Sequence, residues 1–218
     1  MYYQKVIRST NEWVFLWLIS ILFVFWFLAK DTFIAQATSG LVAIFSATAA
    51  VIVINIFVEW GFHKYVLHGM FPGFLRNHWP VKSFYEAHDG VHHVLTPVAH
   101  YAILEEAQTK SSTFPFWSLP VFILIYLPFL LLAQAFFSGP IILGGILGVT
   151  ASYTSYENLH ALYHADYELF WRERIETPGW RGKCWEKVFE YHKKHHADSS
   201  KNLNMVFPLA DCLLGTVA

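Results

Sequence analysis

Imidazoles are the chemistry-bearing groups of this chain: ten of its 12 histidines fall into four groups, His63 and His68; His88, His92 and His93; His160 and His164; His192, His195 and His196. Imidazole ligates first-row transition metals, and repeats at three- to five-residue spacing place several ring nitrogens on one side of a helix. His160 and His164 are i, i+4, roughly 40° apart, and His192, His195 and His196 are i, i+3, i+4, again one face. These two groups can share one cavity. His88 and His92 are likewise i, i+4, whereas His93 points elsewhere, and His63 to His68 is i, i+5, about 140° apart on a regular helix. The first two groups therefore converge only through a helix end or a local distortion, and Gly69, Pro72 and Gly73 supply a break just after His68.

Ten imidazoles exceed the coordination positions of one metal, so two metals, each with an open position, is the economical count. A closed structural zinc site needs four ligands, and a ferritin-like carboxylate centre needs two Glu-x-x-His pairs where only Glu157 and His160 are present. Haem would use single histidines inside facing helices. Two iron ions fit best, with zinc able to take the same nitrogens in a purified sample. Glu157, Asp198, Asn158 and Tyr191 neighbour the histidines and are expected to hold ring N–H groups from behind. His78 and His100 lie outside the groups and read as surface or interfacial histidines. Cys184 and Cys212 form no motif.

The elements that must position these groups are membrane helices. The chain is 55% hydrophobic and only 14% charged, above the apolar share of soluble domains. Apolar runs predict four spans at about 13–29, 33–58, 114–137 (bent or bounded by Pro115, Pro120 and Pro128) and 141–156, the last short and rich in Gly, Ser and Thr. Lys5 and Arg8 before the first run also fit a signal peptide with Ala35-Gln36-Ala37 as cleavage site, but the intervening Lys30 and Asp31 favour an uncleaved anchor. Of the 15 basic residues, only Lys30 lies on the side away from the histidines, which makes the histidine side cytoplasmic. The expectation is an all-α, multi-pass integral membrane protein: a single domain over 1–218, a bundle of four spans, and a cytoplasmic helical cap of segments 59–112 and 157–218 carrying a histidine-rich dimetal site. A net charge of −1 without a basic stripe excludes a nucleic-acid partner. Trp171, Trp180 and Trp185 are expected either to anchor the cap at the interface or to pack among themselves.

Written out in order, the groups resemble the fatty-acid hydroxylase superfamily, the membrane histidine-box di-iron oxygenases that include fatty-acid hydroxylases, sterol desaturases and carotene hydroxylases. The resemblance runs from about residue 59 to 216. EWGFHKYVLHG (59–69) is similar to the first box, AHDGVHHVLTP to the second, YENLHALYH to the family's Tyr-Asp-x-x-His-x3-His, and YHKKHH to the closing His-x2-His-His. The tail NLNMVFPLADCLLGT matches the family's closing pattern at Asn202, Pro208, Asp211, Gly215 and Thr216. Two departures stand out. His88-x3-His92-His93 carries one residue more than the usual His-x2-His-His and is closer to membrane alkane hydroxylases. Asn204 occupies a usual Gly position, a mild change if the residue is left-handed.

The resemblance implies O2-dependent hydroxylation or desaturation of an aliphatic C–H bond of a lipid, with a fatty acyl chain favoured over a sterol, carotenoid or alkane. The substrate would enter from the bilayer. Two electrons per turnover must come from a separate carrier of cytochrome b5 or ferredoxin type, since the chain holds no flavin motif, Cys-rich cluster or His-Pro-Gly-Gly stretch. Arg172, Arg174, Arg181, Lys183, Lys187, Lys193 and Lys194 offer a docking face for an acidic partner, or simply follow the positive-inside bias. The expected location is the endoplasmic reticulum in a eukaryote or the inner membrane in a bacterium. The rival is a metal transporter or metal-binding membrane protein, which would place ligands at mid-span on broken helices, where none of the ten falls.

Overall fold

The computed structural model describes every residue except Met70 and Pro72, so the break expected at Pro72 lies outside the described residues. The described residues are helical or irregular, with no strand among them. Seven helices matter here: α1 (Tyr2–Leu28), α2 (Lys30–Ala37), α3 (Leu41–Phe62), α4 (Ser118–Phe136), α5 (Ile141–Tyr163), α6 (Trp180–Ala197) and α7 (Leu209–Leu214). The chain divides into two compact units, one of residues 10–55 and 116–155, the other of residues 1–9, 56–115 and 156–218.

The first unit is the apolar one. Val14, Val51, Leu119, Ile123, Leu130, Ile142, Ile146 and Val149 form its core. Outward it shows Phe45, Leu124 and Phe129, all well over half exposed, a surface that suits hydrocarbon and not water. The small residues of α5 let it approach α3 closely: a Cβ on Gly144 would lie 2.4 Å from Ala47 Cβ, and one on Gly148 would lie 2.8 Å from Val51 Cβ. Amide and phenol side chains within the unit pair with one another or with the main chain, as apolar surroundings favour. Gln36 donates to Gln134 at 2.7 Å and accepts from the Leu143 N–H at 2.7 Å, and Tyr126 donates to Asn55 at 2.5 Å.

Among the described residues, three stretches are long and apolar enough to cross a bilayer: Tyr2–Leu28, Leu41–Leu67 and Ser118–Phe136. α5, at 23 residues, has the length, but its Gly, Ser, Thr and Tyr side chains dilute its apolarity, the same residues that allow its close packing. The run expected to be one span at 33–58 is broken between α2 and α3. Thr38 and Ser39 hydroxyls donate to the Ile34 and Gln36 carbonyls, ending α2, and Gly40 takes φ 98° to start α3 in a new direction. Hydropathy alone runs through such a break because Gly, Ser and Thr scarcely lower it.

The second unit carries all twelve histidines. The first turns of α1 belong to it: Val6 packs with Ile103 and Ala161, Tyr3 meets the Phe170 ring, and Lys5 pairs with Glu106. Its irregular stretches are stitched by Asp211, fully buried on α7. One carboxylate oxygen accepts from Leu203 N–H and the Thr216 hydroxyl, the other from Asn204 N–H and the Tyr191 hydroxyl. Gly215 closes α7 in the left-handed region at φ 72°. Asn204 is not left-handed; the left-handed non-glycine residue is Asn202, at φ 50°. Asn204 is buried and serves by its side chain, donating to Ile56 O and accepting from the Ala210 and Asp211 N–H groups.

Candidate metal centre

The distortion that the first two histidine groups require is a π turn in each case. His63–Leu67 and Glu86–His92 are both π-helical, with i→i+5 bonds from His68 N–H to His63 O and from His93 N–H to His88 O. The widened turn places residue i+5 almost above residue i, where a regular helix would splay them. His63 and His68 consequently stack with ring centroids 5.1 Å apart. His93, expected to point elsewhere, is turned inward by the same device, its Nε2 3.2 Å from His88 Nε2. The additional residue of His88-x3-His92-His93 is thus absorbed as the extra residue of a wide turn.

Nine of the ten rings form two groups that cut across the sequence boxes. One comprises His63, His68, His88 and His195; the other His92, His160, His164, His192 and His196; within each, one nitrogen per residue lies within 4.8 Å of all the others. His93 falls in neither set but lies between them, its ring stacked on His196 at 4.2 Å and 4.9 Å from His88. The three histidines of α6, expected to share one face, divide. His195 and His196 differ by about 100° around the helix, enough to aim His195 at the first group and His196, with His192, at the second.

Hydrogen bonds behind the rings fix what the inward nitrogens can do. In the four-histidine group Nδ1 donates to Leu203 O from His63 (2.6 Å), to Asp89 from His68 (2.8 Å) and to Lys201 O from His195 (2.8 Å). With Nδ1 carrying the proton, each Nε2 of a neutral ring presents a lone pair inward. His68 Nε2 and His195 Nε2 therefore face each other at 3.2 Å with a lone pair each, a repulsive contact unless a cation lies between them. In the second group His160 and His164 donate from Nδ1 to Ser112 O and Tyr101 O at 3.2 and 2.6 Å. There the Nε2 atoms of His164 and His192 are 3.1 Å apart, and both ring nitrogens of His92 and the Nε2 of His160 are buried with no hydrogen-bond partner. Metal–nitrogen bonds of about 2.0–2.1 Å set neighbouring ligand nitrogens about 3 Å apart, so both groups fit a bound transition-metal ion.

Electrostatics agrees. Burial first, and then the mutual repulsion of neighbouring imidazoles, drive the pKa values of His88, His92 and His192 well below the ordinary histidine value. Burial, followed by the proximity of His68, pulls His195 down to about 3. Neutral rings are the ligating form.

Of the residues expected behind the ligands, Glu157 is buried beside His160 but accepts from the Phe114 N–H at 3.1 Å. Asn158 is half-buried on α5. Tyr191 donates to Asp211 and Asp198 accepts from Ser200; no His ring nitrogen is bonded to either among the described residues. The groups seen bonding the ring nitrogens from behind are Asp89 and four main-chain carbonyls. Asp89 sits inside the second box, where its adjacency was a readable signal; a carbonyl partner leaves no trace in sequence. His78 bonds Phe74 O and His100 is exposed, both outside the two groups. Trp171 is fully buried against Trp185 and Phe189, whereas Trp180 is 72% exposed.

No protein-family model matches the sequence, and no curated protein is similar enough to count as a relative. A solved structure does share the fold. Full-length scs7p, in which only the hydroxylase domain is visible, superposes with a TM-score of 0.54 at 17% identity, covering 91% of this chain and 66% of that one. The chain spans just under two thirds of that protein, and the likeness is one of fold.

Proposed function

We propose that this chain is a membrane-bound, O2-dependent di-iron lipid hydroxylase of the fatty-acid hydroxylase superfamily, acting on an aliphatic C–H bond of a fatty acyl chain. The observation that carries the reading is the pair of buried imidazole groups whose protons are held outward, so that neutral lone pairs converge on two points. The likeness to a hydroxylase domain and the order of the four boxes support it. A bound pair of reduced irons would supply O2 activation strong enough to break an unactivated C–H bond.

The protein's own share is placement and exclusion. Asp89 and the carbonyls of Leu203, Lys201, Ser112 and Tyr101 hold the rings in one tautomer and orientation, as partners behind metal ligands commonly do. Burial keeps the rings neutral and the centre dry. α1, α3, α4 and α5 are read as four spans whose outward apolar surface meets the bilayer from which the acyl chain enters, with the histidines on the cytoplasmic side. Electrons come from an external carrier of cytochrome b5 or ferredoxin type. Of the basic residues, Arg172 is engaged by Glu168 and Glu176, and Lys193 by Glu190. Arg181, Lys183 and Lys187, exposed on α6, are left as the attractive set for an acidic carrier. A transporter is disfavoured because both imidazole groups belong to the second unit and neither to the apolar one.

Metal analysis of the purified full chain should find two ions, iron when expression supplies it. Lipid profiling of cells expressing the wild type or His192→Ala, with a compatible donor co-expressed, should show an oxidised acyl product only in the former. Identical profiles under aerobic growth would sink the reading.

A further inference from the structure

Among the clustered rings held from behind, His63, His160, His164 and His195 lean on main-chain carbonyls, whereas His68 leans on the carboxylate of Asp89, a side chain that is itself 33% exposed. A carbonyl is fixed by the backbone. A part-exposed carboxylate has other rotamers to adopt and water to compete for its oxygens, so Asp89 needs a fixture of its own. The Tyr85 hydroxyl, four residues earlier, donates to the same carboxylate. Tyr85 is held in turn by Arg76, whose Nη2 donates to the phenol oxygen at 2.8 Å while the guanidinium carbon lies 4.1 Å from the ring centroid. Gly69, the neighbour of His68 and left-handed at φ 65°, closes the arrangement: a Cβ there would lie 2.6 Å from Tyr85 Cε2 and 3.3 Å from Arg76 Cδ.

Packing against Gly69 accounts for the ring of Tyr85 and the stem of Arg76, but not for the hydroxyl or the guanidinium. Those are accounted for by the direction of the hydrogen bonds. The guanidinium donates to the phenol oxygen, the phenol to the carboxylate, and the His68 Nδ1–H to that carboxylate from the other side. Each donor in the series meets an acceptor, and a phenylalanine at 85 would break it at its middle link. We propose that Arg76 and Tyr85 are positioning residues for His68: they hold the Asp89 carboxylate against its Nδ1–H and so aim its Nε2 lone pair into the four-histidine group. The proposal rests on the reading of that group as a metal site. A carboxylate behind a ligating ring fixes its orientation and raises its basicity, so loss of the fixture is read at the metal. The effect is confined to the group of which His68 is a member.

The test uses cobalt(II) as the probe, in the full chain in detergent, with a chelator titration followed by the visible absorption of the bound ion. Tyr85→Phe and Arg76→Ala should each bind one of the two cobalt equivalents about 3- to 10-fold more weakly, short of the range of about 10- to 100-fold for loss of the direct partner Asp89, and leave the other equivalent unmoved. The decisive arm is a double-mutant cycle. In an Asp89→Ala background Tyr85→Phe should change cobalt affinity by less than about 2-fold, because the hydroxyl acts through that carboxylate. A Tyr85 needed only for packing would weaken binding equally with Asp89 present or absent. An unchanged titration in Tyr85→Phe, an equal loss from both groups, or a full-sized effect in the Asp89→Ala background would overturn the positioning role and leave the metal centre standing. A wild type that takes up no cobalt would instead sink the metal-centre reading itself.

Discussion

Replacing Asp211 with Ala removes the acceptor of four buried donors at once: Leu203 N–H at 3.0 Å, Asn204 N–H at 2.6 Å, Tyr191 Oη at 2.6 Å and Thr216 Oγ1 at 2.5 Å. Hydrogen bonds to a charged group contribute about 1.5–3 kcal/mol each, and a stranded buried donor costs about 1–3 kcal/mol. The four share one carboxylate and do not add, and solvent admitted to the space left behind satisfies some donors, so the expected loss is about 4 kcal/mol. For a chain of this size that is a fall in apparent melting midpoint on the order of 10 °C, read by far-ultraviolet circular dichroism in detergent. Asp211→Asn keeps one oxygen but turns an NH2 group toward two of the donors, and should lose about half as much. A second readout follows from the geometry. Leu203, held by Asp211 through its N–H, presents to His63 the carbonyl that fixes its ring. The four-histidine group should therefore lose metal at chelator concentrations that leave the five-histidine group filled. An Asp211→Ala protein that melts within about 2 °C of the wild type and retains all its metal would refute the argument that this carboxylate organises the tail and, through it, a ligand.

Asp89→Ala should weaken metal binding in the same group about 10- to 100-fold, measured by chelator competition, while Asp198→Ala should leave it unchanged. His68→Ala should lower the metal content measured by elemental analysis from two per chain to about one. Deleting Gly90 removes the extra residue of the wide turn and rotates His92 and His93 by about 100° relative to His88; metal content should drop below one per chain, and a fully loaded deletion variant would show that the turn is dispensable. Gly182→Ala puts a Cβ 2.1 Å from Thr177 O and 2.5 Å from Ile175 O, both main-chain atoms, and should destabilise by about 1–3 kcal/mol. Gly61→Ala, where a Cβ meets nothing within 4 Å, should be neutral or raise stability in the same denaturation assay by up to about 1 kcal/mol.

The clustering of imidazoles and the helices bearing them were readable because both signals are local. Imidazole spacing and apolar run length depend only on neighbouring residues. The need for distortion at His63–His68 was also readable, since a separation of five has no shared face on a regular helix. Its form was not: a π turn is selected by the demand that two distant rings converge, which spacing does not encode. The division of α6 was missed for a related reason. An i, i+3, i+4 set counts as one face when one target is assumed and as two when there are two targets about 100° apart. The broken second span was hidden because Gly40, Ser39 and Thr38 barely change hydropathy.

The crossing of sequence boxes between the two groups has a physical consequence. The box around His88 sends His88 to one group and His92 to the other, and α6 sends His195 to one and His192 with His196 to the other. His93 stands between, its Nε2 3.2 Å from His88 Nε2 and its ring stacked on His196. Neither of these two boxes can shift without moving members of both groups, so the separation of the groups is tied to the rise of one helix and the width of one π turn. Such a construction suits chemistry that needs two ions at a fixed separation acting on one small molecule.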